Sequence, residues 1–337
     1  MLRRLLLLGV VLLVVMAGFG VWVRGRLNTP FRDFAGEEVF VSIPQGSSVA
    51  SIGNRLVAAG VLPDPWTFRL AARFTGADRR LQAGEYRFAG ESTPLVVMER
   101  LAAGDVYSLG LTFPEGLTVS EMAETFARSG LGSAKDFVGA ASDPVLVAER
   151  GSGLRSLEGY LFPDTYPTPR TASADDIVHA MLARFDQVFT PELRALATER
   201  GWSVHQALTL ASLIEKETAR ADERPVIAAV YLNRLKIDMP LQCDPTVVYA
   251  LMLARRWDGN IRKADLQTNS PYNTYRVRGL PPGPIASPGR ASIEAALKPA
   301  DVPYLYFVSR NDGSHVFAAT LAEHNRNVQR FQGAGRR

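Results

Sequence analysis

Apolar residues recur at helical spacing at Val204, Ala207, Leu208, Ala211 and Ile214. This 3.6-residue period predicts an amphipathic helix from Val204 to Glu217, with the listed residues as its buried stripe. Glu215 falls at the edge of that stripe, where its carboxyl would be partly removed from water, as suits a general acid. Lys216 and Glu217 fall outside it and are expected to be solvated surface. From the helix pattern alone, an ion-pairing surface residue is the alternative interpretation of Glu215.

The same patterning predicts further helices and also β-strands. Helices are expected over residues 174–189 and 225–235, the second with Pro225 in its first turn. A strand over residues 304–309, the turn Asn311-Asp312-Gly313 and a second run over residues 315–317 indicate a β-hairpin. The fold class predicted for the chain is therefore α+β.

The N-terminus contains an uncharged run of 19 residues from Leu5 to Val23, with arginines on both sides. As a helix it would reach ~28 Å, about the thickness of the hydrocarbon core of a bilayer. A cleaved signal peptide is the alternative, but Ala17-Gly18-Phe19-Gly20 is a poor cleavage site. We therefore expect a single-pass membrane anchor, with the large C-terminal part outside the cytoplasm.

A repeat follows at a constant offset of 70 residues. The segment from Pro44, with Gly46 and Gly60, is matched by the segment from Pro114, with Gly116 and Gly130. Each copy predicts a strand, a Pro-x-Gly turn and an amphipathic helix ended by glycine. The first copy resembles the LysM module, which binds glycans that contain N-acetylglucosamine, and a purely structural spacer is the alternative.

Two later segments have the composition of a carbohydrate site. Residues 157–166 combine aromatic rings with Glu158 and Asp164, which suits a sugar groove, although a turn packed in the core is equally compatible. Residues 241–288 are rich in proline and glycine and indicate a rigid loop wall for a polyhydroxylated ligand. Its donors and acceptors are Gln242, Asp244, Ser270, Asn273 and Tyr275.

Composition excludes several classes of function. The chain has 337 residues, 47% of them hydrophobic and 21% charged, with a net charge of +4 spread along the sequence. This is ordinary globular composition, and no nucleic-acid-binding motif accompanies the basic residues. The four histidines, His179, His205, His315 and His324, have no metal-ligand spacing, so no metal is predicted. The one cysteine, Cys243, forms no intrachain disulfide and is expected to be buried.

Seven motifs together resemble the YceG-like family, in the family's order: residues 157–166, 211–218, 233–235, 242–246, 272–275, 279–283 and 304–308. Members of that family are membrane-anchored endolytic murein transglycosylases. The resemblance covers the chain from about Val39 to the C-terminus. It places the family's catalytic glutamate on Glu215. Cys243 stands where a small polar residue is expected.

The resemblance implies lytic cleavage of the MurNAc-β-1,4-GlcNAc bond of nascent peptidoglycan, leaving 1,6-anhydro-MurNAc ends and requiring no cofactor. Glu215 would act first as acid and then as base. The residues expected to bind the sugar are Glu158, Asn233, Gln242, Asp244, Thr246, Ser270, Asn273 and Tyr275. The expected partners are glycan strands, the inner membrane and peptidoglycan synthases, with no nucleic acid. The domain that would carry the chemistry is expected to be periplasmic.

The predicted domains are an anchor (1–27), a linker (28–37), a LysM-like module (38–92), a second related module (93–153) and a catalytic transglycosylase domain (154–332). The last is expected to be mixed α+β with the catalytic glutamate on a helix. Two other functions remain open. A hydrolytic muramidase would pair Glu215 with a second carboxylate, among Asp244, Glu158 and Asp164. A membrane-tethered, non-catalytic wall-binding scaffold would depend on the modules before residue 150.

Overall fold

The computed structural model describes residues 2–333. These form two compact units that divide between Leu109 and Gly110. Both units combine helices with two-stranded sheets, so the architecture is mixed α+β. The first unit contains α1 (Leu2–Asn28), β1 (Glu38–Ile43), α2 (Val49–Ala58), α3 (Pro65–Thr75), β2 (Gly84–Ala89) and α4 (Pro94–Ala103).

The first unit is built on one antiparallel strand pair. β1 and β2 are paired from Glu38 opposite Ala89 to Ile43 opposite Gly84. Alternate residues of β2, Tyr86 and Phe88, are fully buried against α2, α3 and α4. The buried side chains of the strands, which occupy every second position, thus pack against the apolar stripes of the helices in one small core.

Helix α1 has the length and composition of a membrane span. Its apolar part, Leu7–Asn28, has 22 residues with a mean hydropathy of 2.2. Most of its side chains are exposed, including Trp22, which contacts Trp66 of α3 with ring centroids 5.7 Å apart. Only its last turns enter the core of the first unit, through Val23 and Leu27. The helix is compatible with a membrane anchor.

The second unit carries the remaining elements. They are β3 (Leu109–Thr112), α5 (Val119–Arg128), α6 (Ala134–Ala140), α7 (Pro144–Arg150), β4 (Thr165–Thr168), α8 (Ala174–Val188), α9 (Pro191–Glu199), α10 (Val204–Glu217), α11 (Arg224–Lys236), α12 (Asp244–Leu253), a 3₁₀ turn (Asp265–Gln267), α13 (Arg290–Leu297), β5 (Tyr306–Ser309), β6 (His315–Ala318) and α14 (Leu321–Phe331). β3 pairs with β4, and β5 and β6 form the predicted antiparallel hairpin.

The repeat predicted from the sequence is present in the backbone. Helices α2 and α5 both have ten residues and begin 70 positions apart. The preceding turns contain Gly46 and Gly116, with φ of 76° and 79°. Gly60 and Gly130, just beyond the helices, have φ of 71° and 78°. These left-handed conformations favour glycine and explain why it recurs at the same offset.

In each copy the first strand pairs with a later strand, which lies farther along the chain in the second copy than in the first. β1 pairs with β2, whereas β3 pairs with β4, which begins at Thr165. This difference sets where the units divide. Residues 110–153 therefore share one hydrophobic core with the residues that follow them, and Phe113 lies in that core with Tyr166. The units thus divide at a different place from the predicted limits at 92/93 and 153/154. Helix α4 likewise belongs to the core of the first unit.

Helix α10 lies at the centre of the second unit and contacts α9, α11, α12 and α13. Every residue from Ala207 to Ile214 is buried. The helix is therefore enclosed along most of its length, rather than amphipathic with one wet face. Within the predicted loop wall, the structure contains helix α12. Asp244 and Pro245 occupy its first turn, where acidic residues and proline favour a helix start.

Candidate active site

Glu215 is held by two groups at the C-terminal end of α10. Its side chain is 8% exposed, and its Oε1 lies 3.9 Å from Nη2 of Arg224. Its Oε2 accepts a hydrogen bond of 3.0 Å from the backbone N–H of Gly289, just before α13. The partial burial expected from the sequence is present, and both carboxylate oxygens are engaged by protein groups.

A second carboxyl that the sequence analysis did not select, that of Glu115, lies beside Glu215. The Glu115 Oε1 lies so close to Gly289 that a Cβ there would collide with it. Burial raises the pKa of Glu115, the charge of Glu215 raises it further, and Arg224 opposes both. The Nε of Arg224 is buried without a hydrogen-bond partner. The Pro-x-Gly turn of the second repeat thus packs against the end of α10.

Glu217 lies two residues further on in a different environment. Its Oε1 accepts a hydrogen bond of 2.6 Å from the hydroxyl of Tyr231 on α11. Burial raises the pKa of Glu217, and the charge of Asp244 adds to this, while hydrogen bonds with Tyr231 and Cys243 oppose it. The expectation that Glu217 is solvated surface is wrong. The reason is that α10 is packed on several sides, so positions outside its apolar stripe still face protein.

Glu217 contributes to the wall of a cavity of about 320 Å³, here called the acid cavity. Its lining is predominantly polar and comes from α10, α11, the start of α12, the β5–β6 hairpin and α14. The lining residues are Glu217, Arg234, Leu241, Gln242, Asp244, Tyr275, Phe307, Val308, Ser309, His315, His324 and Gln332. The acid cavity therefore brings an acid of raised pKa together with many hydrogen-bonding groups.

Three of the predicted sugar-binding residues, Gln242, Asp244 and Tyr275, line the acid cavity. The Tyr275 hydroxyl donates to Asp244 Oδ1. Gln242 has a φ of 49°, unusual for a residue with a side chain, and its N–H donates to Thr274 O over 3.1 Å. A left-handed conformation at a residue other than glycine costs energy that the surrounding structure must offset. Such positions cluster at functional sites.

The hairpin adds a hydrogen-bonded pair, His315 and Glu223, that was not predicted from the sequence. His315 donates from its backbone N–H to Glu223 Oε1 over 2.9 Å, and its Nδ1 lies 2.7 Å from Oε2. Burial alone would raise the pKa of Glu223, but the hydrogen bonds from His315 and Thr218 hold that pKa below its ordinary value. The pair connects the loop before α11 to β6. It thereby fixes His315 in the wall of the acid cavity.

Four other predicted sugar-binding residues serve the framework. Asn273 and Thr246 are fully buried. The Asn273 amide donates to two loop carbonyls, and Asn233 donates to two carbonyls before β5. Ser270 accepts a backbone N–H within its own turn. These polar side chains fix the loops that surround the cavity, and the buried pair has no exposed surface for a sugar.

Glu158 is also committed to the framework. Its carboxylate accepts the N–H of Val119 at the start of α5, 3.1 Å from Oε1, and the hydroxyl of Tyr249 over 3.1 Å. Burial raises the pKa of Glu158 to about 8, against the effect of both hydrogen bonds. It borders a separate cavity of about 410 Å³, together with His205 and Tyr272. It therefore lies in a different cavity wall from Glu217.

Comparison with known proteins identifies the family. The model of the YceG-like family matches residues 41–330. The chain belongs to the YceG-like family. It is similar to the "Endolytic murein transglycosylase" of Bacillus subtilis (strain 168), with 34% identity over 330 residues, 93% of this chain and 90% of that relative. A protein of the same name from Streptococcus pneumoniae serotype 2 (strain D39) is 31% identical, over 86% of this chain and 58% of that protein.

A solved structure agrees with this membership. The crystal structure of a YceG-like protein from Listeria monocytogenes superposes with a TM-score of 0.60 at 34% identity. The match covers 86% of this chain and 98% of the Listeria chain. The YceG-like fold of this chain therefore extends over both units.

Proposed function

We propose that this YceG-like protein is an endolytic lytic transglycosylase that cleaves the MurNAc-β-1,4-GlcNAc bond of peptidoglycan and leaves 1,6-anhydro-MurNAc ends. The names of its relatives and its family membership support the substrate class. The observation that carries the proposal is Glu217, an acid of raised pKa in the wall of a polar cavity. A raised pKa favours the protonated form of a carboxyl, which is the form that general acid catalysis requires.

In the proposed reaction, protonated Glu217 delivers its proton to the glycosidic oxygen while the bond from that oxygen to C1 breaks. The hydroxyl oxygen on C6 of the same MurNAc forms the new bond to C1, and its proton passes to the Glu217 carboxylate. The carboxyl is thus restored without water. The Tyr231 hydroxyl, bound to Oε1, orients the group and stabilises its ionised form between the two transfers.

Glu215 is the second candidate for the proton donor. Its carboxyl is largely buried, as the sequence analysis expected, and Glu115 lies beside it. However, its oxygens are engaged by Gly289 and Arg224, and it lines none of the cavities described above. Because a general acid must reach the substrate oxygen, this geometry favours Glu217.

The lytic route needs one carboxyl, whereas a hydrolase needs a second at a defined separation. Asp244 lies close enough to Glu217 to raise its pKa, and it accepts the Tyr275 hydroxyl. In the lytic proposal, Asp244 positions the sugar and transfers no proton. In a muramidase it would activate water, so the chemical nature of the product ends separates the two reactions.

The test of the acid is a pair of matched variants, Glu217→Gln and Glu215→Gln, assayed by the release of soluble muropeptides from peptidoglycan. Glu217→Gln keeps the shape of the side chain but has no proton to deliver, so we expect a loss of ~10²–10⁴-fold or more. Glu215→Gln should retain most of the activity. If Glu215→Gln lost the activity and Glu217→Gln kept it, the acid would be Glu215. Activity in both variants would contradict a single-glutamate mechanism.

We further propose that α1 anchors the protein in the inner membrane, with both units on the periplasmic side and peptidoglycan synthases as partners. In this arrangement the first unit acts as a LysM-like glycan-binding module. The strand, Pro-x-Gly turn and helix that carry the LysM resemblance are present as β1 and α2. Binding of the Glu217→Gln protein to glycan strands, compared between the full chain and a chain that begins at Gly110, would test the module.

A further inference from the structure

A second cavity adjoins the acid cavity within the second unit. It has a volume of about 380 Å³ and is here called the aromatic cavity. Asp244 lines both cavities, so they adjoin at that residue. The wall of the aromatic cavity includes Lys216, the residue before the proposed acid, and the rings of Tyr249 and Trp257.

The lining of the aromatic cavity has the chemistry of a carbohydrate site. Trp257 and Tyr249 place aromatic residues in its wall, and aromatic rings are the groups on which the apolar face of a pyranose can stack. Val248 and Pro245 add apolar surface, and Asp244 adds acceptors at the border with the acid cavity. A volume of this size lies in the range of sites for small ligands.

Lys216 is the basic residue of the aromatic cavity, whose wall also includes the acids Asp244 and Glu121. Its Nζ donates one hydrogen bond, to the carbonyl of Gly116 over 3.1 Å. Among the described residues no ion pair of Lys216 with a carboxylate is found, and the Gly116 carbonyl is the hydrogen-bond partner of its Nζ. An ammonium group has three N–H donors, so two remain for a ligand. An anionic substituent on the bound sugar is therefore favoured at this end of the cavity.

The second repeat supplies one side of the aromatic cavity through Thr118 and Glu121 at the start of α5. Both side chains take part in the capping box of that helix, in which Glu121 Oε2 accepts from the Thr118 N–H over 2.8 Å. They consequently shape this side of the wall. The repeat thus has a structural part in this cavity.

We propose that the aromatic cavity is a saccharide subsite next to the scissile bond, and that it holds an N-acetylhexosamine unit whose anionic substituent contacts Lys216. The muramyl sugar of peptidoglycan, with its lactyl group and peptide, has this chemistry. The assignment of the unit next to the scissile bond rests on the proposed function, because Asp244 joins the cavity to the proposed acid.

The experiment measures affinity for two probes in the full chain carrying Glu217→Gln, so that no probe is cleaved. One probe is chitohexaose, which is uncharged, and the other is a muramyl glycan strand of similar length. Trp257→Ala should weaken binding of both probes about 3- to 10-fold, and Trp257→Phe should stay within about twofold of the parent. Lys216→Met should weaken binding of the muramyl strand alone, about 5-fold, whereas the exposed Lys236→Met should change neither.

Val248→Trp provides a second route that does not depend on removing Trp257. The larger side chain fills the cavity and should lower affinity for both probes by about 5-fold or more. Unchanged affinity in Trp257→Ala and Val248→Trp, with melting temperatures near that of the parent, would overturn the subsite. Equal loss of both probes in Lys216→Met would overturn the anionic contact.

The cleavage assay separates this inference from the proposed function. If the protein with Glu217 intact releases no anhydro ends while Trp257→Ala still weakens binding, the proposed reaction fails and the saccharide site remains. If anhydro ends form but neither cavity variant changes affinity, the reaction stands and the subsite is rejected.

Discussion

The hydroxyl of Tyr231 should set the pH range in which the enzyme works. Tyr231→Phe removes the donor that lies 2.6 Å from Glu217 Oε1 and leaves the ring in its buried position. That hydrogen bond favours the ionised carboxylate and lowers the pKa of Glu217, against the larger effect of burial. Without it, the pKa of Glu217 rises further.

The magnitude follows from the energy of the bond. Hydrogen bonds to charged groups contribute about 1.5–3 kcal/mol, and 1.36 kcal/mol corresponds to one pH unit. After allowance for relaxation of the site, the basic limb of the kcat profile should move upward by about one pH unit. The sign is fixed because a general acid is active only while protonated, so activity is lost as the pH rises through its pKa.

The assay is initial-rate release of soluble muropeptides between pH 5 and 10 at saturating substrate. Tyr249→Phe is the matched control, since it removes a comparable donor, 3.1 Å from Glu158, which lies outside the acid cavity. Tyr249→Phe should leave the basic limb of the kcat profile at the same pH. An unmoved or downward-shifted limb in Tyr231→Phe, or an equal shift in both variants, would refute the assignment of Glu217 as the acid.

Three further predictions concern stability and location. Burial raises the pKa of Glu158 from an ordinary 4.5 to about 8, so the free energy of unfolding should fall as the pH rises between these values. Glu158→Gln should remove this fall. In denaturant melts its free energy of unfolding, relative to the parent, should be about 1–3 kcal/mol more favourable at pH 8 than at pH 5. Gly289→Ala should displace the Glu115 carboxylate at a cost of at most about 1 kcal/mol, because that carboxylate ends a flexible side chain, and Glu115→Ala should remove the cost. Gly139→Ala on α6, with open space around it, should be neutral or stabilising. The full chain should stay with membranes washed in carbonate, whereas a chain beginning at Asn28 should be released. Because the shorter chain lacks Leu27, its first unit should be about 1.5–3 kcal/mol less stable. Recovery of the full chain in the wash would contradict the anchor.

Much of the fold could be predicted because local signals agree with the tertiary structure. The helix bounds Val204–Glu217 agree with the prediction, since Ser203 caps the first turn and the helix ends at Thr218 in an extended conformation. The 70-residue repeat was visible because its glycines need left-handed backbone. The strand that closes the second copy was not assigned to it, because strand pairing between β3 and β4 is non-local and leaves no periodic signal.

The site was harder to predict, because burial on several faces cannot be inferred from one stripe. The run from Ala207 to Ile214 consists of apolar and small residues and was itself the signal of an enclosed helix. An enclosed helix makes Glu217 a candidate acid beside Glu215. Asn273 was predicted from its polar side chain and Thr246 from the family resemblance. Both satisfy buried backbone and side-chain groups, a role that composition does not distinguish from ligand binding.

The most direct test of the central claim is mass spectrometry of the ends produced when the full-length protein digests peptidoglycan in ¹⁸O-labelled water. The lytic reaction through a single glutamate predicts 1,6-anhydro-MurNAc ends that contain no label, because the C6 hydroxyl of the substrate replaces water as the nucleophile. Reducing MurNAc ends that carry ¹⁸O would contradict it and would indicate a two-carboxylate hydrolase, with Asp244 as the partner of Glu217.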